Sequence, residues 1–254
     1  MGTLLFSKGV VPGTCLEKLN LTHPRLIEKI HKEYIQAGST VLVANTFGAN
    51  RSRLSEKGDL KQLHKINRAG VTLAKRVARY RLVFASVGPL GVKAKNWNQK
   101  KKIFCFKEQA QALESAKPDG YLVETMTSLS EAKLAAEAIR SVSKKPLIVS
   151  MVPFPKKNQK HYRKISKILR HAGVTCIGFN CGQSPQEAYQ ALKKLKKCDA
   201  GPFCIRSTAG LPSQICSPKL WARWMVKIKK LGVTWMGGCC GTTPGHIKLL
   251  LSLS

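Results

Sequence analysis

Short apolar runs rich in β-branched residues alternate with amphipathic helical patterns along this chain, and this alternation restricts the fold more than any other feature. Seven such runs occur, at residues 41–47, 82–88, 120–126, 146–152, 176–182, 202–209 and 233–239. Helical patterns lie near residues 24–37, 59–80, 107–117, 130–142, 160–172, 185–197, 218–231 and 244–252. Nearly continuous apolar strands that alternate with helices are typical of a parallel sheet covered by helices.

Eight helical patterns with seven strands indicate the α/β class, and specifically a (β/α)8 TIM barrel that lacks its first strand. Residues 1–5 look too short and too turn-like to replace that strand. We therefore expect the strands at 41–47 and 233–239 to face each other across a gap. A doubly wound sheet is the alternative, but the chain has neither the G-x-G-x-x-G turn nor the P-loop expected there. No linker or change of composition divides the chain, which predicts one domain over residues 1–254.

The chain is strongly basic, with 44 Lys and Arg residues against 13 Asp and Glu residues and a formal net charge of +31. Nucleic-acid binding, contact with an anionic membrane, and a merely lysine-rich surface are three competing interpretations. The basic residues are scattered over predicted helix faces and loops, and no nucleic-acid-binding motif accompanies them. The pattern therefore favours a solvated basic surface with incidental, salt-sensitive polyanion binding.

The compartment can be predicted from what the sequence lacks. It contains no apolar run of about 18 residues and no basic segment followed by an apolar one at its start, so we expect neither a membrane span nor a secretory signal. Its nine cysteines are an odd number without the spacing of a disulfide scaffold. Free thiols in a reducing compartment are the simplest expectation, and we predict a cytoplasmic protein.

Polar and sulfur-bearing residues fall at the ends of five predicted strands. They are Asn45-Thr46, Glu124-Thr125, Asn180-Cys181, Ser207-Thr208 and Cys239-Cys240. In a TIM barrel, chemistry takes place at the carboxyl ends of the strands. This coincidence favours a functional site at that end of the barrel over simple packing.

The adjacent cysteines Cys239 and Cys240 lie among glycines at the last of these strand ends. Neighbouring strand residues point to opposite faces, so both thiols can reach one centre only if the backbone bends, which the glycines permit. With Cys181 they could form a catalytic zinc site of three thiolates and one open position. The alternative is that the pair are small buried residues, as we expect of the other thiols, Cys15, Cys105, Cys176, Cys198, Cys204 and Cys216.

Several segments resemble the homocysteine S-methyltransferase family, whose zinc barrel is shared by betaine–homocysteine methyltransferases and cobalamin-dependent methionine synthases. The resemblance runs nearly end to end. The segments include MGTLL at 1–5, ANTFGANRSRL at 44–54, LVETMTSLSEAKLA at 122–135, GFNCG at 178–182, TAGLP at 208–212 and GGCCGTTPGHI at 237–247. GFNC followed by GGCCGT is specific to this family, and the remaining segments extend the resemblance along the chain.

The resemblance implies a function and a set of residues. Cys181, Cys239 and Cys240 would hold Zn2+, and the zinc-activated thiolate of L-homocysteine would attack a methyl group to give methionine. Glu124 matches the family carboxylate that binds the substrate's α-ammonium group, and we predict it to be catalytic. Gly2 and Thr3 match a substrate-binding turn. Two further candidates, Asn45 and Thr46, either shape the pocket or satisfy loop amides.

Three departures from the family pattern leave questions open. The chain begins at the Met of an Asp-Gly-Ala-Met-Gly-Thr-like turn, whose Asp helps to hold the substrate amino group, so we expect an N-terminally truncated domain. Ser207-Thr208 stands where the family often has Pro-Asn. No cobalamin, folate or reductase module follows in this sequence, so the methyl donor is not readable from it. Our preference is a methylcorrinoid or an S-methyl sulfonium donor over betaine, with the donor or its carrier module acting in trans. The alternative function is a catalytically degenerate barrel retained as a basic polyanion-binding protein.

Overall fold

One parallel sheet of seven strands runs through residues 1–210 and 216–253, the part of the chain described by a computed structural model. The strands pair in chain order, and every pair is parallel. They are β1 (Val41–Val43), β2 (Leu82–Val87), β3 (Gly120–Met126), β4 (Leu147–Met151), β5 (Cys176–Cys181), β6 (Phe203–Ser207) and β7 (Trp235–Gly238). Each predicted apolar run contains one strand, so the predicted α/β class is confirmed, and the sheet is consistent with a TIM-like barrel.

Eleven α-helices cover this sheet within the described residues. They are α1 (Gly2–Ser7), α2 (Leu19–Thr22), α3 (Pro24–Gln36), α4 (Arg51–Glu56), α5 (Leu63–Ala78), α6 (Gln99–Glu114), α7 (Leu129–Arg140), α8 (Gln159–His171), α9 (Pro185–Lys196), α10 (Pro218–Lys229) and α11 (Pro244–Ser252). The eight longest correspond to the eight predicted helical patterns. No helix of the described chain has the length and apolar character needed to cross a bilayer.

Two local predictions were wrong. Helix α6 begins at Gln99 and not near residue 107, because the side chain of Asn98 caps it by accepting a hydrogen bond from the Lys101 amide. Residues 1–5 form no strand, as expected, but from Gly2 onward they lie in helix α1 and not in a turn, and Leu5 is fully buried. Leu5 packs in a cluster with Leu19, Ile27, Ile30 and Leu73. This tertiary packing stabilises a helix that is too short to be recognised from its sequence pattern.

The inner face of the sheet has two layers. The lower layer is an apolar cluster of Phe84, Leu122, Ile148, Cys176 and Cys204. Side chains of the same strand alternate between the two faces of a sheet, so the residue two positions further on points to the same side. Along four of these strands that rule gives a polar layer nearer the carboxyl ends, made of Ser86, Glu124, Ser150 and Arg206. On β5 the next residue on this face is Gly178, and Asn180 follows it, level with Arg206.

Strands β1 and β7 are the two ends of the sheet, and each pairs with one strand among the described residues. Helices α3 and α11 approach each other on the side where β1 and β7 do not pair. The Tyr34 hydroxyl of α3 donates to the Thr242 carbonyl, at 3.3 Å, in the turn before α11. Gly38 follows α3 with a φ of +98°, and a Cβ there would lie 2.4 Å from the Leu251 side chain of α11. The first and last long helices therefore pack together at this side of the barrel.

Candidate active site

The thiols of Cys181, Cys239 and Cys240 converge at the carboxyl ends of β5 and β7. Their sulfur atoms all lie within 4.8 Å of one another, and those of Cys181 and Cys240 are 3.8 Å apart. Two thiolates on one tetrahedral zinc, each at a Zn–S distance of about 2.3 Å, lie about 3.8 Å apart. The donor type and the spacing of these three cysteines therefore fit a zinc ion. All nine cysteines of the chain are free thiols.

Two glycines allow the adjacent cysteines to turn toward one centre. Strand β7 ends at Gly238, where a Cβ would lie only 2.1 Å from the Thr242 hydroxyl oxygen. Gly241 has a φ of +73°, and a Cβ there would lie 2.4 Å from the Gly210 carbonyl oxygen. A side chain at either position would push the turn away from its neighbours. The bend predicted from the glycine-rich sequence is present.

The residues that follow β6 hold this turn in place. The Cys239 amide donates to the Ser207 carbonyl at 2.9 Å. The Cys240 carbonyl accepts hydrogen bonds from the Ala209 amide at 2.8 Å and the Thr208 hydroxyl at 3.1 Å. Ser207-Thr208, the dipeptide that departs from the family pattern, thus positions both cysteines through backbone groups. Leu211 and Pro212 of the TAGLP segment lie outside the described residues.

The thiol cluster favours negative charge on one of its members. The pKa of Cys239 lies well below its usual value because the thiols of Cys181 and Cys240 donate hydrogen bonds to its sulfur, and Arg206 and Asn180 add to this effect. The hydrogen bonds with Cys239 raise the pKa of Cys181, and those with Cys181 and Cys239 raise the pKa of Cys240. The three cysteines therefore share one negative charge readily and resist carrying three unless a cation is present.

Glu124 reaches the same region from β3, at a local irregularity of the sheet. The register between β3 and β4 shifts between Val123 and Met126, and Thr125 has a φ of +60°, which is unusual for a β-branched residue. The Asn180 side chain holds this backbone: it accepts from the Thr125 amide at 2.7 Å and donates to the Thr125 hydroxyl at 2.8 Å. Its amide nitrogen also lies 3.5 Å from the Cys239 sulfur. Asn180 therefore links the strand end that carries Glu124 to the thiol cluster.

Both carboxylate oxygens of Glu124 have partners. Oε1 accepts from the Ser86 hydroxyl at 2.5 Å, and Oε2 accepts from Nη1 of Arg206 at 2.5 Å. The Glu124 side chain is 9% exposed and the Arg206 side chain 19% exposed. Burial alone would lower the pKa of Arg206, but the Glu124 carboxylate raises it above its usual value. The barrel therefore contains a charged, nearly buried ion pair beside the three thiols.

A family model described as homocysteine S-methyltransferase matches residues 1–252 of the chain. The chain belongs to the homocysteine S-methyltransferase family. It is 28% identical over 260 residues to the methionine synthase of Mycobacterium tuberculosis, covering 92% of this chain and 22% of that protein. It is 26% identical over 265 residues to the betaine–homocysteine S-methyltransferase 1 of Rattus norvegicus, covering 90% of this chain and 64% of that protein. The chain thus spans only part of these relatives.

The fold is also that of a solved homocysteine methyltransferase. The metallated form of the homocysteine methyltransferase MmuM from Escherichia coli superposes with a TM-score of 0.82 at 22% identity. The match covers 100% of this chain and 94% of that one. Together with the family model, it confirms the resemblance inferred from the sequence segments.

Two of the residues predicted to bind substrate, Gly2 and Thr3, lie in helix α1. The Thr3 hydroxyl accepts a hydrogen bond of 3.4 Å from the Gly241 amide, which places α1 against the cysteine turn. Gly2 packs near Leu16, and a Cβ at Gly2 would lie 3.2 Å from its side chain. Their role in substrate binding stays a prediction.

The other two predicted residues, Asn45 and Thr46, are buried and bonded to backbone groups. The Asn45 amide donates to the Leu16 carbonyl at 2.8 Å. The Thr46 hydroxyl donates to the Ser86 carbonyl at 2.7 Å. These contacts tie the end of β1 to its neighbours. Of the two interpretations left open by the sequence, they support the satisfaction of loop groups, and a role in the pocket stays a prediction.

Arg206 is the functional candidate that sequence analysis missed. It lies in the apolar run at 202–209, two positions after the inward-facing Cys204. A cation within an otherwise apolar strand, on the face that points into the barrel, was the signal that could have identified it.

Proposed function

We propose that this chain catalyses methyl transfer to the thiol of L-homocysteine, giving methionine. The observation that carries the proposal is the convergence of Cys181, Cys239 and Cys240 beside the buried carboxylate of Glu124, in a chain of this family. Three thiols suit a soft divalent metal, and a carboxylate suits the ammonium group of an amino-acid substrate.

The three cysteines would hold zinc, with Asn180 orienting Cys239 through its amide group. When bound, zinc stabilises the deprotonated, nucleophilic form of a substrate thiol at neutral pH. Glu124 binds the α-ammonium group of homocysteine, and Ser86 fixes the direction of its carboxylate. The substrate sulfur then forms a bond to the methyl carbon while the bond from that carbon to the donor breaks. The electron pair of the broken bond leaves with the donor.

The methyl donor is proposed to be a methylcorrinoid or an S-methyl sulfonium compound, supplied free or by a module in trans. A methyl-transfer assay tests this and the reaction together. Zinc-loaded protein is incubated with homocysteine and, in separate reactions, betaine, S-methylmethionine, methylcobalamin, or methyltetrahydrofolate with cobalamin. Methionine formed from S-methylmethionine or methylcobalamin supports the proposal. Turnover with betaine alone would contradict the donor assignment, and no methionine from any donor would contradict the reaction.

The two free ends of the sheet support a finer assignment of the fold. We propose that β1 to β7 are seven of the eight strands of a (β/α)8 barrel. Adding a strand that ends in Asp-Gly-Ala before Met1 should then raise the melting temperature and the homocysteine affinity together, since it would pair with both sheet ends and add a carboxylate. An extended protein that melts and binds like the present one would contradict this assignment.

A second candidate function is polyanion binding, because a basic cavity lies away from the thiols. Its volume is about 530 Å3, and Lys32, Arg76, Arg79, Tyr80 and Arg81 are among its lining residues. The Arg81 guanidinium lies 4.6 Å from the centre of the Tyr80 ring, which is 84% exposed. Cations and an exposed aromatic ring together suit the phosphates and bases of single-stranded RNA.

Salt dependence tests this candidate. The affinity for a single-stranded RNA is measured from about 0.05 to about 0.5 M salt. This range includes about 0.05–0.2 M, over which purely electrostatic affinities fall steeply. The variant Lys32→Ala/Arg79→Ala/Arg81→Ala should weaken binding at least about tenfold. Lys156→Ala/Lys160→Ala/Lys167→Ala removes the same charge from exposed positions elsewhere and is the control. Equal losses in both variants would indicate diffuse charge and contradict a site in this cavity.

A further inference from the structure

We propose that Arg206 determines substrate specificity by binding the α-carboxylate of the thiol substrate while Glu124 binds its α-ammonium group. The Arg206–Glu124 pair would then recognise the zwitterionic end of an amino acid. This inference rests on the proposed function, because it takes the thiol cluster to bind the sulfur end of the same substrate. It assigns a substrate contact to a residue that the sequence comparison with the family did not indicate.

The position of Arg206 places its charge next to the thiol cluster. In the sheet Arg206 pairs with Asn180 of β5 and Gly237 of β7. Cys181 is the next residue of β5, and Cys239 comes two residues after Gly237, so the cluster begins one to two residues further along the strands, at a rise of about 3.3 Å per residue. A Cβ at Gly237 would lie 3.5 Å from Cγ of Arg206, an ordinary van der Waals contact, so the arginine side chain lies directly beside this position of β7. In homocysteine, two methylene groups separate the sulfur from the α-carbon, which suits neighbouring sites for its two ends.

The ion pair between Arg206 and Glu124 keeps unused hydrogen-bond donors and unused acceptors. A guanidinium group has five N–H donors, and Glu124 is the one hydrogen-bond partner of the Arg206 guanidinium within residues 1–210 and 216–253. A carboxylate accepts about four hydrogen bonds, and Glu124 receives two, from Ser86 and Arg206. Donors therefore remain on the arginine, and acceptor sites remain on the glutamate. Both side chains keep a small exposed fraction, and the buried α-ammonium group of Met1 is near enough for both charges to act on it.

An amino-acid zwitterion complements this pair better than a ligand with one charge does. Its carboxylate can face Arg206 while its ammonium faces Glu124, so four alternating charges lie together. A thiol that carries only an amine would bring its cation next to the guanidinium, and a thiol that carries only a carboxylate would bring its anion next to Glu124. In a site this poorly exposed, such like-charge contacts are costly. The pair therefore selects thiols that carry both groups on one carbon.

Equilibrium binding to the zinc-loaded protein tests this inference without a methyl donor. Calorimetry compares L-homocysteine with 3-aminopropane-1-thiol, which lacks the carboxylate, and 4-mercaptobutanoate, which lacks the amine. The unmodified protein should bind homocysteine about 10- to 100-fold more tightly than either analogue, as expected for hydrogen bonds to charged groups. In Arg206→Gln, homocysteine should bind about 10- to 100-fold more weakly, while the aminothiol should bind as before or more tightly.

Arg206→Lys keeps the charge without the planar fork and should recover part of the preference for homocysteine over the aminothiol. Arg170→Gln is the matched control, because Arg170 of helix α8 also pairs with a nearly buried carboxylate, that of Asp199, at 2.7 Å. It should leave the ratio of the two affinities unchanged.

The outcomes separate this inference from the proposed function. Equal weakening of homocysteine and the aminothiol in Arg206→Gln would overturn the role of Arg206, and so would unchanged homocysteine binding. If Arg206→Gln does not fold, a wild-type protein that binds homocysteine and the aminothiol equally would overturn it as well. A wild-type protein that binds none of the three thiols contradicts the proposed function itself.

Discussion

Two groups of cysteines lie at different depths of the sheet and have different surroundings. Cys181, Cys239 and Cys240 lie at the strand ends, and Cys176 and Cys204 lie in the apolar layer below them. Strand β5 carries one member of each group, at its first and last residues. Burial raises the pKa of Cys204 to about 12 and also raises that of Cys176. In the strand-end group, hydrogen bonds between the thiols lower the pKa of Cys239 and raise those of Cys181 and Cys240.

The difference follows from what surrounds each sulfur. Cys176 and Cys204 pack with Phe84, Leu122 and Ile148, which offer no compensation for a negative charge. At the strand ends the thiols meet one another and the amide of Asn180. The position of a cysteine along its strand therefore decides whether its thiol can become a metal ligand.

Removing all three strand-end thiols should have the largest effect. The variant Cys181→Ser/Cys239→Ser/Cys240→Ser should retain no stoichiometric zinc after dialysis, because hydroxyl groups are poor ligands for this metal. Atomic absorption of the purified protein measures the zinc. One zinc per chain in this variant would show that the metal site lies elsewhere and would remove the contrast between the two groups.

Changing the side chain that links Glu124 to the thiols should have a smaller effect. Asn180→Ala removes the contact to the Cys239 sulfur and both hydrogen bonds to Thr125. Loss of such an outer partner typically lowers metal affinity about 10- to 100-fold. Competition with a chromophoric chelator measures the affinity. Asn67→Ala, which removes a buried asparagine from α5, is the control and should leave zinc affinity unchanged.

The strand ends were more predictable from the sequence than the side chains that connect them. The seven strands could be located because β-branched apolar runs are distinctive, and Cys239 and Cys240 were recognisable from the glycines around them. The short helix α1 could not be recognised from the sequence, because its stability comes from the burial of Leu5 against distant residues. Arg206 was missed for a similar reason. Its meaning depends on Glu124, which is 82 residues away in the chain and adjacent only after the barrel forms.

A single change in the apolar layer should affect stability and leave the metal untouched. Cys204→Ser places a hydroxyl group among Phe84, Leu122 and Ile148, where a hydrogen bond is hard to satisfy. We expect a loss of about 1–3 kcal/mol in the free energy of unfolding, measured by urea denaturation. Zinc content should remain one per chain. A variant that loses zinc in the folded state would show that the two cysteine groups are coupled.

The smallest expected effect is a difference in pH dependence. Burial raises the pKa of Cys204 from an ordinary 9.0 to about 12, so between these values the folded thiol keeps a proton that the unfolded thiol has lost. The unfolded state therefore binds fewer protons in this window, and the contribution of Cys204 to stability falls as pH rises. The free energy of unfolding of the wild-type protein and of Cys204→Ala is measured by urea titration at about pH 8, 9.5 and 10.5, on both sides of the ordinary thiol pKa of 9.0. The difference between the two proteins isolates the contribution of Cys204. Wild-type stability should fall more steeply above pH 9, by up to about 1.4 kcal/mol per pH unit. Parallel curves for the two proteins would mean that Cys204 titrates like an exposed thiol and that depth along the strand does not separate the two groups.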